Sequence, residues 1–336
     1  KQFFHVFSCF WITFLLFSWC WPCYGSSATG EDVIQTANLQ FIDWHEVVSR
    51  IEGLASSQVA AEKIRNISPL INQEAAEQSF AEITCASATL IQTPRIQFTG
   101  IDLSIVWLHH LEKASLLNVL ELKDVRLFLN ETQTVRENFE PIDNPFARKC
   151  LTILLDATPP LSALDQLITP EGEIRTDASE KLYQLTQEKK NAHHELDKLL
   201  NRLIKDNGME TILQDRFVTN REGRYVVPVK SGMQHQIEGI IHGSSQTKQT
   251  VFMEPHDAIP LNNRLRVVDL EIEEEIERLL RDMTDYLHSI YSELKATQEC
   301  LVHIDVRWAQ AQFSNLVRSQ PCKFNEDELR LEQLFH

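Results

Sequence analysis

RFVTNREGRYVVPVKSG (216–232), followed by QIEGIIHG (236–243) and TVFMEP (250–255), breaks the pattern of everything around it. On either side, apolar residues recur every three or four positions. Here β-branched and aromatic residues alternate with polar ones at a period near two, which predicts strands. Asn220–Gly223, Lys230–Gly232 and the polar run Gly243–Lys248 read as the turns between them. Residues 215–257 are therefore expected to form a small β-module inserted into a helical chain.

The helical periodicity resumes on both flanks. Before the module, residues 179–214 carry Leu182, Leu185, Ala192, Leu196, Leu199 and Leu203 as a narrow apolar stripe among charged residues. Such a stripe suits pairing with one other helix better than burial in a thick core. After it, Leu265, Val268, Ile272, Ile276, Leu279, Met283, Leu287, Ile290 and Leu294 continue the spacing, and neither Gly nor Pro interrupts 261–319. The spacing predicts one helix of about 35–40 residues, roughly 50–60 Å long, within a segment 258–319. The simplest arrangement is an antiparallel two-helix arm carrying the β-module at its tip.

Residues 37–178 read as a helical domain. Phe41, Trp44, Val47, Val48, Ile51 and Leu54 give one apolar face, and Ser56 or Ser57 can cap the next helix. Further helices are expected over 71–91, 101–111, 117–139 and 144–168, with breaks at Thr93-Pro94 and Thr99-Gly100; Pro159-Pro160 and Pro170–Gly172 are read as closing the last. The fold class is thus mainly α, with one inserted sheet. Only 10 Gly and 12 Pro in 336 residues agree with it.

The formal net charge of −16 argues against a surface that is basic throughout. A local basic patch remains compatible, because the field near a groove is set within about 8–10 Å. Between 216 and 250, Arg216, Arg221, Arg224, Lys230 and Lys248 outnumber Glu222 and Glu238 by three, whereas residues 258–300 hold five basic and ten acidic residues. A tip with Arg, Lys, Ser and Gln in its loops suits phosphate contacts. The residues expected to make them are Arg224, Lys230, Ser244, Ser245, Lys248 and Gln249.

Catalytic and cofactor motifs are lacking. Gly243–Lys248 resembles a nucleotide-binding loop only faintly, because Thr247 stands where a second glycine must let the backbone cradle phosphates. The adjacent His193 and His194 project about 100° apart on a helix, not on one face as a two-histidine metal site needs. The CxxC at Cys20–Cys23 lies in an apolar run without a second ligand pair, and Cys85, Cys150, Cys300 and Cys322 read as reduced core thiols. Residues 1–36 include an apolar stretch, Phe3–Tyr24, of the kind found in signal peptides or membrane spans. They are expected to lie outside the fold, and they leave a secreted or membrane-anchored coiled-coil protein as an alternative.

REGRYVVPVKSG (221–232), IEGIIHGSSQTKQTVFMEP (237–255) and LNNRLRVVDLEIEEEIERLL (261–280) together resemble the MutS family. The match is to its second bacterial subfamily, the recombination-suppressing paralogue that often carries an Smr nuclease domain. LQFIDWHEVVSRIEGLASSQVAAEKI (39–64) is similar to that subfamily's opening helices. The resemblance implies a lever domain and a clamp, with clamps of two subunits closing around duplex or branched DNA. It also implies an ATPase domain using ATP and Mg, which LRLEQLFH (329–336), within the segment 320–336, resembles at its start. On that reading residues 1–336 hold no cofactor of their own, the protein is cytoplasmic and nucleoid-associated, and a membrane is not a partner. Rescue of collided ribosomes is a second role the resemblance implies.

Overall fold

The computed structural model describes residues 43–70 and 72–322. The apolar leader at 1–36, the start of the stretch 39–64 and the segment LRLEQLFH (329–336) lie outside them. Among the described residues, ten helices and one four-stranded antiparallel sheet make a mainly α fold with a small inserted sheet. The chain divides into two compact units, one combining residues up to Asp165 with those from Thr284 onward, the other spanning Gln166–Met283.

The first unit opens with α1 (Trp44–Glu52), which buries Trp44, Val48 and Ile51, as the spacing predicts. Helix α2 (Gln58–Arg65) is capped by Ser57, whose Oγ accepts from the Ala60 N–H at 3.2 Å. Helices α3 (Gln73–Gln92), α4 (Gly100–Glu112) and α5 (Val119–Phe139) follow, α3 ending at Thr93 and α5 opening with a reciprocal Asn118–Glu121 capping box. The single helix expected over 144–168 is two helices, α6 (Pro145–Ile153) and α7 (Thr158–Leu167). Pro159 and Pro160 begin α7 instead of closing a helix, because the first turn needs no backbone N–H donor.

Helix α10 (Tyr291–Leu316) runs through the middle of this unit, with every residue from Cys300 to Ala311 buried. Its two buried ions, Asp305 and Arg307, are both partnered. Asp305, 0% exposed, accepts from the backbone N–H and the hydroxyl of both Ser56 and Ser57, and pairs with Arg95. Arg307 donates to Glu82 at 2.8 Å and to Ser79. His303 Nε2 sits 3.3 Å from Glu82 Oε2, an ion-pair separation with off-line hydrogen-bond geometry. Burial pushes the Glu82 carboxyl up, but His303, Arg307 and Lys149 outweigh it and hold the group well below the usual carboxylate range. Cys150 and Cys300 are buried thiols, Cys85 and Cys322 half-buried ones.

In the second unit α8 (Glu180–Lys205) and α9 (Ile259–Ser289) run antiparallel. Lys181 meets Glu275, Glu188 meets Arg264 and Lys189 meets Asp269, so residue numbers rise along one helix as they fall along the other. The helix predicted at about 35–40 residues within 258–319 stops at Ser289 after 31, and Ile290 (φ −109°, ψ 19°) separates α9 from α10. No Gly or Pro marks the break. Ser289 Oγ donates to the Tyr286 carbonyl at 2.6 Å in the last turn of α9.

Strands β1 (Thr219–Arg221), β2 (Arg224–Lys230), β3 (Gly239–Ser244) and β4 (Thr250–Pro255) form a sheet ordered β1-β2-β4-β3. Val227, Val229, Val251 and Met253, alternate residues of the two central strands, pack with Ala192, Leu196, Leu200 and Ile204 of α8. The stripe on α8 thus ends on Leu200 and Ile204, while Leu199 and Leu203 are only partly buried. At 3.6 residues per turn, steps of four from Leu196 keep facing the sheet. Gly239 is required where β3 meets β4: a Cβ there would lie 2.1 Å from the Glu254 carbonyl oxygen. Among the described residues no helix is long and apolar enough to cross a membrane.

Candidate nucleic-acid interface

The sheet has two chemically different ends. At one, β2 finishes in the turn after Lys230 and the loop Ser244–Gln249 joins β3 to β4. Lys230 pairs in register with Thr250, and the Ser231 N–H donates to the Gln249 carbonyl at 2.9 Å, which ties the turn to the loop. Inside the loop the Ser245 N–H donates to the Thr250 carbonyl (2.8 Å) and the Lys248 N–H to the Ser245 carbonyl (2.9 Å). Ser245 Oγ accepts from the Thr250 N–H at 3.1 Å. Lys248 takes a left-handed backbone (φ 57°), which exposes its side chain at the turn of the loop. Ser244 and Gln249 are exposed and Ser245 half-buried.

Five of the six predicted contact residues, Lys230, Ser244, Ser245, Lys248 and Gln249, therefore share this loop end. Lys230 Nζ rests on the Thr211 carbonyl at 3.1 Å, a neutral acceptor that leaves its charge uncompensated. Neither Lys230 nor Lys248 has an ion-pair partner among the described residues.

Arg224 is elsewhere. It starts β2 at the opposite end, where its Nη1 donates to Glu254 Oε1 at 2.9 Å. Glu254 is 1% exposed and also binds His242 Nε2 (2.6 Å) and the Asn262 amide (2.9 Å). Asn262 in turn accepts from the Tyr225 N–H and donates to the Tyr225 carbonyl. The other arginines of the module are also engaged: Arg216 pairs with Glu210 at 3.2 Å, and Arg221 stacks 4.1 Å above the Phe252 ring. Of the five basic residues counted in the sequence, Arg221 and the two lysines have no acidic partner among the described residues, and of these three the two lysines stand together at the loop end.

Sequence reasoning missed Glu254, His242 and Asn262. Glu254 falls just outside the 216–250 stretch in which charge was counted. A glutamate among TVFM in a central strand was the available signal, because such a group is buried only with partners. His193 is accounted for structurally, its Nε2 2.8 Å from the Tyr225 hydroxyl. Among the described residues no group of three or more His, Cys, Asp or Glu is placed to hold a metal ion.

No protein-family model matches the chain. Curated proteins do. The chain is 30% identical over 292 residues to the endonuclease MutS2 of Halothermothrix orenii, covering 84% of this chain and 37% of that protein. It is 28% identical over 292 residues to the endonuclease MutS2 of Aquifex aeolicus, and 25% over 295 residues to that of Finegoldia magna, in each case covering 85% of this chain and 37% of the relative. The chain thus spans a little over a third of the length of these relatives, and over that span the matched residues run through both units and the sheet between α8 and α9: the chain belongs to the MutS2 family.

Proposed function

We propose that this chain is the DNA-binding lever and clamp portion of a MutS-like protein acting in DNA repair and in restraint of homologous recombination. The observation that carries the reading is the loop end of the sheet. Two lysines without acidic partners stand beside exposed hydroxyl and amide side chains on a rigid hairpin. Such groups contact phosphate oxygens and position a protein on a duplex without reading its bases. Family membership supplies the partner class. The α8–α9 pair, with its ion pairs along the seam, is the lever in this reading and the sheet is the clamp. The proposal extends to the longer protein: two copies closing around duplex or branched DNA, driven by ATP and Mg in a further domain. Residues 1–336 hold none of that ATPase chemistry in this reading.

Fluorescence anisotropy of the full chain against labelled duplex and four-way-junction DNA tests it. Weak binding that falls steadily with added salt is expected, since released counterions supply most of the affinity for a phosphate backbone. No binding at low salt, or binding that ignores salt, refutes the clamp reading.

A further inference from the structure

We propose that Glu254, an acid inside a basic module, is the positioning residue that aims the Ser244–Gln249 loop at a phosphodiester backbone, and that Arg224 serves Glu254 and not the nucleic acid. The inference rests on the clamp reading and assigns roles within it.

The geometry starts from a bulge. Ile241 pairs with Met253 and Ser244 with Val251, so His242 and Gly243 on β3 together oppose Phe252 alone on β4. Gly243 adopts φ 140°, in the range that favours glycine. A bulge re-aims the chain that follows it, and its extra residue lies outside the backbone ladder. The direction of the loop is therefore set by whatever holds the bulged residues. Here that is a side chain: His242 Nε2 lies 2.6 Å from Glu254 Oε2. Ser244 and Ser245, the first residues of the candidate contact loop, come directly after.

Glu254 is suited to act as the fixed point. Its carboxylate is bound from three elements at once, by Arg224 of β2, His242 of β3 and Asn262 of α9. Burial pushes this carboxyl up, yet the bonds from His242, Asn262 and Arg224 hold it below the usual range, so the charged form is the one the site stabilises. Arg224 is the compensating charge of that buried anion. Taking its guanidinium to a phosphate would leave Glu254 buried without its strongest cation, a penalty Lys230 and Lys248 do not face.

This assignment predicts the opposite sign from simple charge counting. Removing an acid from a DNA-binding module tightens binding if only net charge matters. Glu254→Gln is expected to weaken binding about tenfold, while Glu222→Gln in the exposed β1–β2 turn leaves it equal or tighter. Arg224→Ala is expected to lower affinity with the salt slope unchanged, because no phosphate contact is lost. Backbone hydrogen exchange on the full chain supplies an independent readout. In His242→Ala, which keeps Arg224 and Asn262 on Glu254, the amides of Ser245, Lys248 and Thr250 are expected to exchange about tenfold faster, with the α8–α9 amides unchanged. Glu254→Gln binding as tightly as the parent with unaltered loop exchange would overturn the proposal, as would an Arg224→Ala slope flatter by about one. If the unmodified chain binds no DNA, the clamp reading fails, and the exchange comparison alone decides the positioning role: unchanged loop protection in His242→Ala sinks it.

Discussion

Lys230 and Lys248 are predicted to account for about two units of the salt dependence of DNA binding, and Arg224 for none. Each phosphate contact contributes about 0.9 to the slope of log K against log salt on B-form DNA. Raising salt from about 50 to about 200 mM is fourfold, so one contact corresponds to about a 3.5-fold loss of affinity over that range and two to about 12-fold. The structure supplies the count for the loop end: the two lysines there lack ion pairs among the described residues, whereas Arg216 and Arg224 pair with Glu210 and Glu254, and Arg221, over the Phe252 ring, lies outside that loop. Lys230 rests on the Thr211 carbonyl without losing its charge, so it remains available for counterion release. The assay is anisotropy titration of one duplex at four or five salt concentrations, for the parent chain, Lys230→Gln, Lys248→Gln and the double variant. The single variants are expected to flatten the slope by about 0.9 and the double by about 1.8, with the same change on unrelated duplex sequences. A double variant whose slope matches the parent's refutes the assignment of the loop end, whatever its absolute affinity.

Three further predictions concern the scaffold. Leu196→Ala, at a position 0% exposed between α8 and the sheet, is expected to destabilise the second unit by about 2–5 kcal/mol, read as a lower urea midpoint at unchanged slope. Gly239→Ala places a Cβ 2.1 Å from the Glu254 carbonyl oxygen and is expected to cost about 1–3 kcal/mol, with exchange protection lost first along β3. Glu275 is held at about pKa 2 by Arg278 first, with Ser179 and Lys181 adding to it. Its folded value lies below the unfolded one, so its contribution is complete above about pH 5 and is lost as pH falls towards 2. Glu275→Gln is therefore expected to lower the melting temperature at pH 7 and to flatten its acid decline over that window. A parallel decline in both proteins would refute the role of Glu275.

The parts of this fold legible in the sequence are those specified by a local period. The stripe of α8, the apolar face of α1 and the switch to alternation at Arg216 each depend on residues within one or two turns of each other. So does the Ser57 cap. What the sequence did not disclose depends on competition or distance. The break at Ile290 has no Gly or Pro to mark it. Pro159-Pro160 is ambiguous by nature, since proline both ends one helix and begins another. Arg224, expected at a phosphate contact, has its acidic partner 30 positions away in sequence. Its type and its neighbours in sequence suited phosphate binding; the strand pairing of β2 with β4 turned it inward to Glu254. The same pairing carried Lys230 to Thr250 and so gathered the five other predicted residues at one end.

The net charge of −16 is a sum over the whole chain and does not fix the field at any one place. Asp305, Glu254 and Glu275 are 0–1% exposed and Glu131 is 8% exposed, and each is consumed internally. Asp305 holds the segment at Ser56–Ser57, Glu131 accepts the Thr99 and Gly100 N–H groups at the start of α4, Glu275 binds Ser179 at the start of α8, and Glu254 holds the bulge. In each case an acid is placed where chain ends or irregular backbone leave N–H groups or cations needing a partner, which is the setting in which a buried carboxylate is tolerated. These acids are joints of the fold, and their fields are met at close range by their own partners. The field at the loop end is then governed by what lies within about 10 Å of it at moderate salt, where Lys230 and Lys248 stand unpaired. An acidic chain can in this way offer a basic contact without contradiction, because the field at its tip is set by the charges near it and not by the sum over 336 residues.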